Sequence, residues 1–292
     1  MSSPLDAARL EEILTEIGAR LLAGERFHGA GGAFTVDVDL GTAARAVVEA
    51  GACRIGVCSP EGCPDPTRIG DMASHIDHTL LKPDATVEEV DQLCAEAMEH
   101  GFASVCVNSG WVRRCAEILG GSGVLVCTVV GFPLGACLTE VKSYEARRAI
   151  EHGACEIDMV LNVGAMKSGM EDLVRSDIAA VAATCRGLGA RLKVILETCL
   201  LTKDEIVRAS ELSKEAGAHF VKTSTGFSSG GASVEDVALM RRAVGPVLGV
   251  KASGGVRDGE AARAMIDAGA TRIGASASVA IVTAGSAGAG GY

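Results

Sequence analysis

Four ionisable side chains stand in segments otherwise composed for burial: Asp158 in CEIDMVL, Lys193 in LKVILE, Lys222 in HFVKTSTG and Lys251 in LGVKASGG. A lysine at the end of one such strand ordinarily snorkels to water and carries no chemistry. Four charges on successive strands form a different pattern, because parallel strands of a barrel lie side by side and present their functional groups at one end. An amine attacks a carbonyl only when neutral, and free lysine is almost wholly protonated near neutral pH. Burial and a neighbouring cation both favour the neutral amine. Lys222, with Lys251 one strand away, therefore reads as a nucleophile beside the cation that activates it. Asp158, beyond Lys193, is placed to move protons or to orient the water that moves them. The competing reading is an Asp–Lys network that only holds the core together, though two lysines sharing one acid are a costly way to build structure.

A second constellation lies downstream, in Gly254 and Gly255 after Lys251 and in Gly274, Ala275 and Ser276 before the last helical stretch. Loops after the seventh and eighth strands of a barrel commonly hold phosphate, since exposed backbone N–H groups and a helix dipole favour an anion. A glycine pair alone marks no more than a turn. Its place in the order of strands is what gives it weight.

Positioning these residues requires alternating strands and helices, and that alternation begins near Ser74. Candidate strands start at Ile76, Ala103, Val124, Cys155, Leu192, His219, Leu248 and Thr271, with amphipathic stretches such as Thr86 to His100 between them. Glycines at 101, 153, 217 and 269 punctuate the passage from helix to strand. Eight such units predict an α/β fold, a (β/α)8 TIM barrel with an N-terminal extension. A doubly wound open sheet is the other architecture that the periodicity permits. The expected organisation is an amphipathic helix and linker over 1–34, a small extension over 35–70, the barrel over 71–283 and a loose tail over 284–292.

The 292 residues are 48% hydrophobic, with a formal charge of −10 and a pI near 5.1. That balance argues against a nucleic-acid surface, which needs a basic stripe. No apolar run is long enough to span a bilayer, so a small molecule is the expected partner. Eleven scattered cysteines, an odd number, fit a reducing cytoplasm. Cys53, Cys58 and Cys63 lack the paired spacing of a zinc site and read as ordinary small residues. No His, Asp and Glu ligand set stands at the strand ends, so no metal and no cofactor are expected.

With these residues in view, the sequence resembles the deoxyribose-phosphate aldolase family. IDHTLLKPDAT, SVCVNSGWV, VVGFPLG, EIDMVLNVGAMKSG, LKVILET, FVKTSTGF and KASGGVR occur in the family's order between Ile76 and Ser278. The resemblance implies Lys222 as the Schiff-base lysine, Lys251 as the lysine that perturbs it, and Asp158 as the proton-relay acid. It implies phosphate contacts around Gly226, Gly255 and Ser276, and it sets Lys193, Asp77, Thr79 and Cys106 in or beside the site. The implied reaction is reversible cleavage of 2-deoxy-D-ribose 5-phosphate to acetaldehyde and D-glyceraldehyde 3-phosphate, with the protonated imine serving as the electron sink. Phe227 stands where some members carry lysine, and Ala277 where a second serine is often found, so backbone amides are expected to do more of the phosphate binding here. The rival readings are a class I aldolase with another donor, a transaldolase, and a sugar-phosphate sensor or scaffold without activity. A homo-oligomer is expected.

Outside the barrel, Leu5 to Leu22 reads as a helix with Leu10, Ile13, Leu14, Ile17 and Leu21 on one face, followed by a Gly/Ala-rich stretch. It resembles the encapsulation helices of bacterial microcompartment cargo, which implies a shell protein as partner through residues 5–22. Packing of the same stripe on the barrel or across a dimer is the alternative. Tyr292 ends a Gly, Ala and Ser tail that is expected to be loose, and it is a candidate phenol for the active site.

Overall fold

Branched side chains in period-two alternation with inward polar groups form the strands, and helical stretches with one apolar face cover them. The computed structural model describes residues 72–283. Its strands are β1 (Ile76–Leu80), β2 (Ser104–Val107), β3 (Leu125–Val130), β4 (Glu156–Val160), β5 (Arg191–Ile195), β6 (Phe220–Lys222), β7 (Gly249–Ser253) and β8 (Arg272–Ala275). Each begins at, or one residue from, the position expected from the sequence. All pair in parallel and in chain order, and β1 closes on β8 through Asp77 opposite Gly274. Closure makes this a (β/α)8 barrel and sets aside the open sheet.

The helices are α1 (Val87–His100), α2 (Val112–Leu119), α3 (Thr139–Glu151), α4 (Val163–Lys167), α5 (Glu171–Gly187), α6 (Lys203–Glu215), α7 (Val234–Val244), α8 (Gly259–Asp267) and α9 (Ser278–Thr283). Local sequence sets their ends. Thr86 with Glu89 and Thr202 with Glu205 form capping boxes at the starts of α1 and α6. The main apolar core lies between the outer face of the barrel and the helices, where Ile76, Val105, Ile157, Leu192, Val221, Val250 and Ile273 meet residues such as Val90, Ile178 and Met240. The barrel's own interior is largely polar. One buried ion pair lies outside it: Lys142 of α3 donates to Asp177 of α5 at 2.6 Å and to the Val160 carbonyl at 3.0 Å, tying two helices to the end of β4. In the sequence Lys142 looks like a solvent-facing residue of TEVKSYEARR.

No helix among the described residues is long and apolar enough to cross a membrane. The helix read at 5–22, the extension over 35–70 with its cysteines, and the tail with Tyr292 lie outside the described residues.

The GFPLG turn after β3 packs directly on the end of β4. Gly135 adopts φ 67°, and a Cβ there would fall 1.9 Å from the Leu161 carbonyl oxygen. Gly135→Ala is expected to combine backbone strain with a clash against backbone and to cost about 2 kcal/mol or more. A urea midpoint equal to that of the unsubstituted chain would contradict this account of the turn.

Candidate active site

Three inward-facing carboxylates and four inward-facing cations meet within the barrel. Asp77 comes from β1, Glu156 and Asp158 from β4, Lys193 from β5, Lys222 from β6, Lys251 from β7 and Arg272 from β8. The acids and lysines are almost wholly buried, and Arg272 is 7% exposed. Register explains the meeting. Asp158 lies opposite Lys193, Lys222 opposite Lys251, and Lys251 opposite Arg272, so these side chains enter the barrel from neighbouring strands.

The two oxygens of Asp158 are divided between different partners. Oδ1 accepts from Lys193 Nζ at 2.8 Å and from the Cys127 thiol at 3.1 Å. Oδ2 accepts from Lys222 Nζ at 2.9 Å and from Lys251 Nζ at 2.8 Å. Two ammonium groups thus converge on one oxygen atom. Lys251 is also paired with Asp77 at 2.5 Å, Lys193 with Glu156 at 2.6 Å, and Arg272 with both Asp77 and Glu156. Lys222 has Asp158 as its one acidic partner, which makes its charge the least compensated of the four.

Electrostatics follow from this geometry. Burial alone would raise the Asp158 pKa, but Lys193, Lys222 and Lys251 outweigh it and hold the carboxyl well below its usual range. Asp77 and Glu156 are likewise lowered against their own desolvation, chiefly by Arg272 and by Lys193 respectively. Desolvation opposes the charge on Lys193 and on Lys251, yet the surrounding acids, Asp158 first, keep both above the ordinary lysine value. Cys106 faces Cys127 across β2 and β3, and the hydrogen bond between the thiols lowers the Cys106 pKa while burial raises that of Cys127. Cys106, Cys127 and Asp158, and also Asp77, Cys127 and Glu156, gather ligand-type atoms within 4.8 Å of one another. Their carboxylates already hold lysine ammonium groups that would repel a divalent ion, so this donor set does not fit a metal.

The structure therefore brings together Lys222, Lys251, Asp158, Lys193, Asp77 and Cys106. Thr79, two residues beyond Asp77 on the same face of β1, donates its hydroxyl to the Asp77 carbonyl at 2.8 Å. Gly226 and Gly255 have left-handed backbones with open space where a Cβ would stand, and Ser276 is exposed. Gly254 packs against Gly231. Gly274 is closely packed, since a Cβ there would lie 2.3 Å from Ser253 Oγ and 2.9 Å from Lys251 Cε. Sequence reasoning missed Glu156 and Arg272. The available signal was period two, because Glu156 stands two residues before Asp158, and Arg272 two before Gly274, on the same strand faces. It also missed Glu197, a buried carboxylate after β5 that accepts from the Thr225 hydroxyl and, at 3.2 Å, from the Thr225 N–H.

Residues 72–289 match the family model for DeoC/LacD family aldolases. The deoxyribose-phosphate aldolase of Brevibacillus brevis is 64% identical over 222 residues, spanning 76% of this chain and all of its own length. That of a Geobacillus species is 61% identical over 212 residues, 73% of this chain and 95% of its own. Among solved structures, a putative deoxyribose-phosphate aldolase from Coccidioides immitis superposes with a TM-score of 0.73 at 41% identity, covering 86% of this chain and 99% of that one. A tetrameric deoxyribose phosphate aldolase from Aeropyrum pernix superposes with a TM-score of 0.70 at 34% identity, covering 83% and 98%.

The charge cluster has consequences for stability. Carboxylates with lowered folded-state pKa values stabilise the fold fully above the unfolded carboxylate range, and that contribution is lost as pH falls from about 4 towards the folded values. Lys193 and Lys251, raised on folding, contribute fully below about 10.4, and their contribution is lost as pH climbs towards their folded values. Thermal melts should show a plateau with an acid and an alkaline limb. Asp158→Asn, which leaves three buried ammonium groups short of their common partner, is expected to cost about 3–5 kcal/mol at neutral pH and to shallow the acid limb. A variant as stable as the unsubstituted chain would show that the cluster is not an ionised one.

Proposed function

Because the chain belongs to the DeoC/LacD family of aldolases, we propose that it is a class I aldolase using Lys222 as its Schiff-base lysine. The reaction is reversible cleavage of 2-deoxy-D-ribose 5-phosphate to acetaldehyde and D-glyceraldehyde 3-phosphate. The observation that carries the assignment of the nucleophile is the convergence of Lys222 and Lys251 on Asp158 Oδ2. Of the cluster's four cations Lys222 is the one whose single acidic partner is held by two other ammonium groups. The proton it gives up is already directed at Asp158, and the depressed pKa of that carboxyl means the proton is passed on, not kept.

In the synthetic direction the neutral amine of Lys222 adds to the carbonyl carbon of acetaldehyde, and a proton relayed to the carbinolamine oxygen lets it leave as water, giving a protonated imine. Loss of a proton from the methyl carbon gives the enamine, whose carbon attacks the aldehyde of glyceraldehyde 3-phosphate. Water then adds to the resulting imine and frees Lys222. Lys251, kept charged by Asp158 and Asp77, favours the neutral form of its neighbour and stabilises negative charge that develops on oxygen. The open amides at Gly226 and Gly255, with Ser276, are assigned to the phosphate, and Lys193 to holding Asp158 in place. A homo-oligomer is the proposed assembly, supported by the tetrameric Aeropyrum pernix relative.

Lys222→Leu should abolish turnover and borohydride trapping of acetaldehyde, and Lys251→Leu should lower turnover by about a hundredfold or more. Trapping of a full equivalent in Lys222→Leu would move the nucleophile elsewhere. The helix read over Leu5–Leu22 is proposed to dock to a microcompartment shell protein, a reading supported by its apolar stripe and the Gly/Ala stretch behind it. Removing residues 1–34 should then leave turnover and melting temperature unchanged and abolish co-purification with shell proteins. A large fall in melting temperature would assign the segment to the fold instead.

A further inference from the structure

Glu197 is the one non-glycine residue among those described with a positive φ, 58°, and its ψ of 61° puts it in the left-handed helical region. A residue with a side chain reaches that region only under strain, and such strain persists where surrounding contacts impose it. Here the side chain is buried, 4% exposed, and both of its oxygens accept from Thr225, with the Cys199 thiol a more distant donor to Oε1 at 4.0 Å. Oε2 accepts from the Thr225 hydroxyl and Oε1 from the Thr225 N–H at 3.2 Å. The next residue adds another tie, Thr198 N–H donating to the Thr223 carbonyl at 3.0 Å. The end of β5 is thereby fastened to the segment that follows Lys222.

That segment is held on its far side too. Thr225 Oγ accepts from the Phe227 N–H at 3.0 Å, and the Phe227 ring packs edge-on against Phe132 with centroids 5.1 Å apart. Between the two anchors lies Gly226, with φ 85° and open space on its Cβ side. We propose that Glu197 is a positioning residue for the substrate's phosphate group: by fixing Thr225 it holds the Thr225–Phe227 backbone, with Gly226 at its centre, in the arrangement that receives the phosphate. This rests on the reading of the site as an aldolase acting on a phosphorylated sugar.

The chemistry of the clamp requires a carboxylate. Thr225 offers two donors, its N–H and its hydroxyl, and the hydroxyl oxygen is already accepting from Phe227. An ionised carboxylate is acceptor-only and meets both donors, whereas an amide must turn its NH2 towards one of them. Glu197→Gln therefore loosens the loop with little change of volume and without touching Lys222, Lys251 or Asp158.

The test compares steady-state cleavage of 2-deoxyribose 5-phosphate with that of unphosphorylated 2-deoxyribose. In Glu197→Gln, kcat/KM on the phosphorylated sugar should fall about tenfold or more, mainly through KM, while the value on 2-deoxyribose stays within about twofold. Thr225→Val should give the same selective loss, Thr225→Ser should retain normal behaviour, and the Gln/Val double variant should lose no more than either single one. If Glu197→Gln does not fold, as judged by circular dichroism, the Thr225 pair carries the test. An equal fall on both sugars, no fall on either, or additive losses in the double variant would overturn the proposal. Should the unsubstituted chain fail to cleave 2-deoxyribose 5-phosphate, the functional reading falls and this inference with it; normal cleavage with an unselective variant removes the inference alone.

Discussion

The carboxylate of Asp158 is the constraint on which the rest of the barrel interior depends. It faces three lysine ammonium groups in a space closed to solvent, where an unpaired charge is far more costly than at a surface. Barrel interiors are ordinarily filled by layers of branched apolar side chains. Here that filling is replaced by acids and cations that must compensate one another in pairs, so each member fixes the strands next to it. Arg272 joins β8 to β1 and β4 through Asp77 and Glu156, and Lys251 joins β7 to β1 and β4 through Asp77 and Asp158. The cluster is a poor source of net stability. The apolar layer between strands and helices must supply what the interior does not.

This division of labour explains what could be read from the sequence. Strand positions were legible because outward residues are branched and apolar in alternation, and because glycines such as Gly101, with φ 66°, end the helices that precede them. Lys193, Lys222 and Lys251 were legible because a charge inside such a pattern breaks a local rule, and such breaks concentrate at functional sites. Glu156 and Arg272 were harder to see. Each sits at the first residue of its strand, where a charge looks like an ordinary solvated end; period two gives its face, and closure of the barrel makes that face the interior. Closure is a property of the whole sheet, carried by no single segment. Lys142 was hidden for a related reason, since its helix is polar on most sides and its acid partner lies 35 residues further along the chain.

Glu197 and Gly274 show two other limits. A left-handed φ is encoded by what surrounds Glu197 and not by its residue type, which gives no hint of it. Gly274 was assigned to phosphate binding from its place in the strand order, yet the contact with Ser253 and Lys251 accounts for glycine there without any ligand. Both readings of Gly274 lead to the same place, however. A Cβ at position 274 would lie 2.9 Å from Cε of Lys251, whose ammonium group pairs with Asp158.

The way Asp158 is held also bears on why Lys222 and not one of its neighbours is proposed as the reacting amine. A carboxylate bound at one oxygen can rotate, and rotation would blur the distances on which proton transfer depends. Lys193 and Cys127 occupy Oδ1, which leaves Oδ2 fixed towards Lys222 and Lys251. Lys193 is spent on that task, with two further acids around it, and Lys251 is committed to Asp77 as well. Loss of charge on Lys222 touches one carboxylate, which keeps two other ammonium groups, whereas loss on Lys193 or Lys251 would also weaken the pairing of Asp77 or Glu156. The same arrangement therefore keeps the acid paired throughout, and the proposed imine at Lys222 requires no rearrangement of the barrel.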